Sequence, residues 1–335
     1  MGNGIAIAGT LAVDYIKYID SYPAEQQLTT ITGIDRSSGG LCCNCALTLA
    51  KLDPHLPIQA IGIVGKDEAG DYLLGLLAAH RSMDTTGIRR EGTTSYTDVM
   101  TERSTGKRTF FHCRGANALL APGHFDFTTM DATILHIGYV LLLDILDGPD
   151  DDYPTAMCRV LDSARKAGIQ TSIDVVSESG ERFTRLVPPV LPYADYCVIN
   201  EIEAAHTTGL TLRSKNNEPV IGNLQAACQK LIDMGVGKWA VIHMPELSCG
   251  LERGGAYVQQ ESWPIPAGFI KSSVGAGDAF AAGLLYGAYH GCCLRESIHA
   301  AGAIATYSLS GAGASDAIIP FPELMQKMAE ISKSC

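Results

Sequence analysis

Apolar residues along the chain form short continuous runs that alternate with stretches of helical periodicity. The short runs predict buried strands at residues 5–8, 58–64, 134–137, 171–174, 196–199 and 239–243. Apolar side chains recur every three or four positions between several of these runs and predict helices at residues 41–52, 70–80, 156–167 and 223–234. Because strands and helices alternate, the pattern predicts an α/β fold whose sheet is mostly parallel and covered by helices on both faces.

Four further extended segments interrupt this alternation. Residues 13–19 and 28–34 are separated by Ser21, Tyr22 and Pro23, and the turn sequence Ser104-Thr105-Gly106 separates residues 97–103 from residues 108–113. Turn sequences of this kind are typical of connections between extended segments. We therefore expect a small accessory sheet from segments of about 12–34 and 95–113. No repeat or linker divides the chain, so residues 1–335 are expected to form one domain.

Composition and charge limit the class of ligand. The net charge of −11 argues against general affinity for nucleic acids or anionic membranes. No apolar stretch is long enough to span a bilayer, and the amino-terminal segment lacks the basic start of a secretory signal. Eleven cysteines without such a signal indicate a reducing compartment, so we expect a cytoplasmic location.

The segment around Asp278 carries the most informative chemistry. Gly275, Ala276 and Gly277 form a turn without bulky side chains, directly before an alanine-rich helix. Backbone amides at such a helix start bind anions without the help of a basic side chain. Asp278 follows in the first helical turn, where its carboxylate either caps the helix or accepts the proton of an attacking hydroxyl beside a bound phosphoryl group.

Five segments, in order along nearly the whole chain, resemble those of the ribokinase-like, PfkB-type carbohydrate kinases. Residues 39–46 and 274–283 are similar to the two signatures of that family, and residues 61–67, 114–118 and 198–203 are similar to its intermediate segments. The resemblance implies a three-layer α/β/α fold with a small β-sheet lid over the sugar. It also implies ATP-dependent phosphorylation of a sugar or sugar-like hydroxyl, with Asp278 as general base.

The same resemblance implies roles for individual residues. The acceptor is expected to be bound by Asp14, Gly39, Gly40, Asn44 and Asn117. The transferred phosphoryl group is expected on the amides of Gly275, Ala276 and Gly277. The nucleotide is assigned to Asn200, Glu203, His243, Gly250 and Gly277, and Glu203 is expected to hold Mg²⁺ through water. Without the resemblance, Asn200 and Glu201 suit a helix amino-terminal cap and His243 a polar strand end.

Two positions depart from the pattern of this family. Ser272 stands where many members have an aspartate that helps to form a monovalent-cation loop, which argues against activation by potassium. The usual Gly-x-x-Gly nucleotide loop is replaced by residues 243–250, of which only the final glycine, Gly250, is kept. Adenine recognition is therefore expected to differ.

Several alternatives remain open on the sequence alone. Cys42 and Cys45 form a C-x-x-C motif, but no second pair completes a zinc site, and small packed helix residues explain them better. The basic residues Arg103, Lys107, Arg108 and Arg114 either form a solvated strand edge or contact an anionic acceptor. A nucleoside kinase and a non-catalytic sugar- or nucleotide-binding protein are the competing functions. A homodimer that pairs through the lid is also expected.

Overall fold

The computed structural model describes residues 2–178 and 182–333. The strands are β1 (Ile5–Gly9), β2 (Ala12–Ile19), β3 (Ile31–Gly39), β4 (Ile58–Val64), β5 (Met83–Arg90), β6 (Ser95–Glu102), β7 (Arg108–Cys113), β8 (Ile134–Val140), β9 (Gln170–Val175), β10 (Tyr196–Asn200), β11 (Trp239–His243), β12 (Leu247–Glu252) and β13 (Tyr257–Glu261). The helices are α1 (Leu41–Leu52), α2 (Glu68–Ala78), α3 (Ala156–Lys166), α4 (Arg182–Leu186), α5 (Glu201–Thr208), α6 (Leu224–Asp233), α7 (Ala276–Tyr289), α8 (Leu294–Ser308) and α9 (Phe321–Lys333).

A nine-stranded sheet with the order β13-β12-β11-β10-β9-β8-β1-β4-β5 forms the large body of the protein. The strands from β5 to β11 in this order pair in parallel, and β12 and β13 add an antiparallel hairpin at one edge. Successive side chains of β1 point to opposite faces. Ala6 and Ala8 belong to a hydrophobic cluster with α3 and α6, whereas Ile5 and Ile7 pack in a cluster with α1 and α7. The predicted three-layer α/β/α fold is confirmed.

The smaller sheet has the order β3-β2-β6-β7. β2 pairs antiparallel with β3 and parallel with β6, and β6 and β7 form the hairpin that was predicted around Ser104-Thr105-Gly106. Only Thr10 and Leu11 separate β1 in the large sheet from β2 in the small sheet. The small sheet is therefore connected directly to the carboxyl end of a central strand of the large sheet.

One predicted extended segment, residues 28–34, is shifted in the structure. β3 begins at Ile31 and continues to Gly39, where it leads through Gly40 into α1. Leu28 lies outside the strand and is 88% exposed. The polar half of β3 was missed because most of its side chains are solvent-exposed, so no apolar run marks it, although its backbone pairs with β2 throughout.

Candidate active site

A cavity of about 710 Å³ lies at the carboxyl ends of the parallel strands, between the large sheet and the small sheet. Ligands of open α/β sheets bind at this end of the strands. The polar side chains that line it come from both sheets and from the helices that follow them, and they include Asp14, Asn44, Asp174, Asn200, Glu203 and Asp278. The structure thus brings together residues that are more than 260 positions apart in the chain.

The amino terminus of α7 forms one wall of the cavity. Gly275 precedes the helix in the left-handed conformation, with φ of 73°, and a Cβ atom there would lie 2.2 Å from the Cβ of Ala314. The amide of Ala276 makes only a long hydrogen bond of 3.4 Å to the Ser273 carbonyl. Gly275, Ala276 and Gly277 all line the cavity, so the turn faces the space where an anion would bind.

The carboxylate of Asp278 does not cap α7. Its Oδ2 accepts a hydrogen bond of 2.8 Å from Nδ2 of Asn44, and its Oδ1 accepts one of 2.7 Å from the hydroxyl of Tyr139. Burial raises the pKa of Asp278, whereas the hydrogen bonds from Tyr139 and Asn44 lower it. The capping alternative is wrong, because both oxygens are directed to side chains at the cavity.

Asp14 approaches the same cavity from β2 of the small sheet. Gly39 makes room for it, since a Cβ at Gly39 would lie 2.2 Å from Oδ1 of Asp14. Burial raises the pKa of Asp14 to about 7, a hydrogen bond with Thr97 lowers it, and the charge of Asp278 raises it further. Asp14 of the small sheet and Asp278 of α7 therefore face the same cavity.

Asn200 and Glu203 form a capping box at the start of α5 and also line the cavity. The side chain of Asn200 accepts from the amides of Ile202 and Glu203, and Glu203 accepts from the amide of Asn200 at 2.9 Å. The capping interpretation of this segment is therefore correct, and it does not exclude a role in ligand binding. Burial raises the pKa of Glu203 to about 7.

The site fits a hydrated Mg²⁺ better than a directly bound metal. Within the described parts of the chain, no three Asp, Glu, His or Cys side chains are grouped closely enough to hold a metal ion. Oε1 of Glu203 already accepts from the hydroxyl of Ser177 at 2.8 Å. Burial, together with the charges of Glu203 and Asp278, raises the pKa of Asp174 well above its usual range. Such a negative, hydrogen-bonded environment suits a cation that retains its water shell.

Three of the sequence-predicted site residues do not line the cavity. Gly39 acts through the space that it leaves for Asp14. Asn117 is 1% exposed, and its Oδ1 accepts from the amide of Leu11 at 3.0 Å, so it supports the connection between β1 and β2.

Gly250, the third of these residues, corrects the prediction of a nucleotide loop ending there. It lies in the middle of β12, paired with Val241 and Val258. The chain turns earlier, between His243 and Leu247, and this turn contains no glycine. His243 does line the cavity, and burial lowers its pKa to about 4, so the imidazole is neutral at neutral pH.

Tyr139 and Asp174 line the cavity but were not among the sequence predictions. Asp174 is the penultimate residue of β9, a largely buried strand, and an aspartate near the carboxyl end of a predicted strand is a signal that the sequence does contain. Tyr139 is the penultimate residue of β8, directly after Gly138, but a tyrosine near a strand end has no distinguishing pattern. Contacts across the fold are needed to recognise it.

The basic residues near the small sheet separate into different roles. The Arg103 guanidinium lies over the ring of Tyr18, and Arg114 pairs with Asp144. Nη1 of Arg108 donates a hydrogen bond of 3.0 Å to Oγ of Ser272 and so connects the small sheet to the segment that precedes Gly275. No lysine or arginine occurs among the described residues that line the cavity.

Two further possibilities considered from the sequence are a zinc site at Cys42 and Cys45 and a membrane-spanning helix. Cys42 and Cys45 are fully buried in α1, and burial raises the pKa of Cys42 to about 12, so these thiols serve packing. None of the helices in residues 2–178 and 182–333 combines the length and the apolar character needed to cross a bilayer.

Comparison with known proteins agrees with this architecture. The model of the pfkB family of carbohydrate kinases matches residues 3–321. A probable fructokinase-2 of Arabidopsis thaliana is 25% identical over 202 residues, which cover 57% of this chain and 59% of the fructokinase, less than two thirds of its length.

Two solved ribokinases share the fold over almost the whole chain. The Arabidopsis thaliana ribokinase in complex with ribose and ATP has a TM-score of 0.77 at 20% identity, and that of Thermotoga maritima has a TM-score of 0.78 at 18% identity. Each comparison covers 98% of this chain and 99% of the solved one. Together with the family match and the site at the start of α7, these findings show that the chain belongs to the pfkB family of carbohydrate kinases.

Proposed function

We propose that the protein transfers the γ-phosphoryl group of ATP to a hydroxyl of a sugar or sugar-like acceptor. The observation that carries this proposal is the position of Asp278, whose buried carboxylate faces the cavity directly beside the turn of Gly275, Ala276 and Gly277. A base and an anion site are thus adjacent, which is the arrangement that phosphoryl transfer to a hydroxyl requires.

In the proposed reaction, Asp278 accepts the proton of the acceptor hydroxyl as its oxygen attacks the γ-phosphorus. The bond from phosphorus to the bridging oxygen of ADP breaks, and the amides of the turn and the dipole of α7 stabilise the charge on the transferred group. Asp14 and Asn44, which both line the cavity, orient the acceptor. A bound Mg²⁺ would neutralise phosphate charge, and Asn200 and Glu203 would hold its water shell.

The lining of the cavity favours a neutral acceptor. Its acidic side chains among the described residues are those of Asp14, Asp174, Glu178, Glu203 and Asp278, and no lysine or arginine is present there to pair with an acidic sugar. Carboxylates and amides bind hydroxyl donors well. Phe110 also lines the cavity and is 58% exposed, which keeps a nucleoside as the second candidate because an aromatic ring can stack on a base.

The small sheet also supports the proposal of a homodimer. It carries exposed apolar side chains that do not line the cavity, namely Ile31, Ile34, Tyr96 and Phe111. β3 and β7 form its two edges within the monomer. A second copy of the same sheet would cover both the apolar side chains and the unpaired strand edges.

The substitution Asp278→Asn tests the proposed function. Loss of the general base should lower kcat by about a hundredfold or more, whereas ATP binding should be nearly unchanged. ADP formation with a panel of neutral sugars, sugar acids and nucleosides provides the first measurement, and calorimetric titration with ATP the second. Unimpaired turnover in this variant contradicts the role of Asp278. Ligand binding without ADP formation for every acceptor tested would favour a non-catalytic binding protein.

A further inference from the structure

Tyr139 contacts the proposed base from β8, a strand that carries none of the site residues predicted from the sequence. It is the penultimate residue of β8, lines the cavity, and donates a hydrogen bond of 2.7 Å from its hydroxyl to Oδ1 of Asp278. Asn44 donates to the other oxygen, Oδ2, at 2.8 Å. We propose that Tyr139 is a positioning residue that orients Asp278 and keeps its carboxylate ionised as the base.

The geometry fixes the plane of the carboxylate. The two donors come from different elements, α1 and β8, and each bonds a different oxygen. Asn44 is itself held, since its Oδ1 accepts from the hydroxyl of Ser38 at 3.2 Å. Each carboxylate oxygen retains a further lone pair for the acceptor hydroxyl. The base is therefore oriented before an acceptor binds.

The surroundings of Asp278 make such a donor necessary. Burial raises the pKa of Asp278 and so favours the neutral acid, which cannot accept a proton. The titratable groups that face Asp278 are Asp14 from β2, Asp174 from β9, Cys43 and Cys45 from α1, and Tyr139 from β8. The neutral His243 of β11 lies against Gly277. Arg108 acts on Asp14 from β7.

Tyr139 is suited to donate rather than to accept the proton. Burial and the nearby charges of Asp278 and Asp174 raise the pKa of Tyr139 well above its usual range, so the phenol keeps its proton. A phenol has one proton to donate, and here it is directed to Asp278. The bond lowers the pKa of Asp278 by stabilising the ionised form.

Removing the hydroxyl provides the test. In Tyr139→Phe the pKa of Asp278 should rise, so the acidic limb of kcat/KM against pH should move to higher pH. A displacement of about one pH unit lowers kcat/KM about tenfold on that limb. Replacing Tyr139 by 3-fluorotyrosine, a stronger donor, should move the limb to lower pH. A residue that only fills space would not produce displacements in opposite directions.

The titration of Asp278 can also be followed without turnover. The infrared carboxyl band that is lost in Asp278→Asn identifies the group, and its titration in Tyr139→Phe should shift to higher pH in parallel with the kinetic limb. Tyr15→Phe, which removes a phenol hydroxyl from β2, serves as the matched control and should leave both titrations unchanged.

This inference rests on the proposed role of Asp278, and the two can fail separately. Full turnover in Asp278→Asn would overturn the proposed function. An inactive Asp278→Asn, together with unchanged kinetic and infrared titrations in Tyr139→Phe and in the fluorotyrosine protein, would overturn the role of Tyr139 alone.

Discussion

At the scale of single residues, the main feature of the site is the unequal environment of its carboxylates. Asp14 lies on the small sheet with its pKa raised to about 7, chiefly by burial. Its ordinary value in an unfolded chain is about 3.9. The folded protein therefore binds a proton at Asp14 more tightly than the unfolded chain does, and ionisation of this residue costs stability.

This difference predicts a stability effect with a definite sign. Asp14 is protonated in both states below pH 4, so its cost appears as the pH rises from about 4 to about 7 and is complete above pH 7. The free energy of unfolding of Asp14→Asn minus that of the native chain should be larger at pH 8 than at pH 5. The increase in this difference should be on the order of several kcal/mol. Urea denaturation at both pH values measures the difference.

Asp126→Asn is the control for this experiment. Hydrogen bonds from Thr128 lower the pKa of Asp126, so this group is ionised in both states throughout the interval from pH 5 to pH 8. The difference in unfolding free energy between Asp126→Asn and the native chain should be constant across that interval. An Asp14→Asn difference that is equally constant would contradict the protonation assigned to Asp14.

The residues of the site differ in how far the sequence could predict them. Asp278 and Asn44 lie in motifs, and the structure joins them by a hydrogen bond across 234 positions. Tyr139 lies in no motif, so only the folded structure reveals its hydrogen bond to Asp278. Gly250 was misassigned because a glycine near a strand end resembles a turn residue, although here it is in the strand.

At the scale of elements, the start of α7 depends on one backbone conformation. Gly275 has φ of 73°, and a Cβ there would also meet Ala314 at 2.2 Å. Gly291 has the same φ of 73°, but a Cβ there would have no neighbour within 4 Å. The two glycines therefore form a matched pair that separates backbone strain from steric conflict.

Alanine at these two positions should have different effects. Gly291→Ala should lose about 1–2 kcal/mol of unfolding free energy for the left-handed conformation and retain turnover. Gly275→Ala should lose about 1–3 kcal/mol more from overpacking, and kcat should fall because the turn amides move. Thermal unfolding and steady-state kinetics measure both effects. Equal stability losses with full turnover in both variants would contradict the proposed importance of the turn.

The elements of the large sheet were predictable where their side chains are buried on both faces. β1, β4, β8 and β10 are almost continuously apolar, and each was predicted within a few residues. β5 and β13 lie at the two sheet edges, and most of their side chains are at least partly exposed. Their sequences lack an apolar run. They are strands because they pair with a neighbouring strand, and the sequence pattern does not show this pairing.

At the scale of the whole molecule, the exposed apolar side chains of the small sheet predict association. Ile34 is 60% exposed on β3. Sedimentation of the native chain should show a dimer, and Ile34→Glu should weaken it at least tenfold in dissociation constant, because an unpaired charge would be buried in the interface. Ile221→Glu, at a 53% exposed isoleucine outside the small sheet, is the control and should sediment as the native chain does. A native chain that remains monomeric at high concentration would refute the proposed dimer.

The two-residue connection at Thr10 and Leu11 has a mechanical consequence. Asp14 belongs to the small sheet, whereas Asp278 belongs to a helix packed on the large sheet. An acceptor that bonds both carboxylates would add a cross-link between the two sheets. The spacing of the two sheets would therefore decide which acceptors can reach Asp14 and Asp278 at the same time.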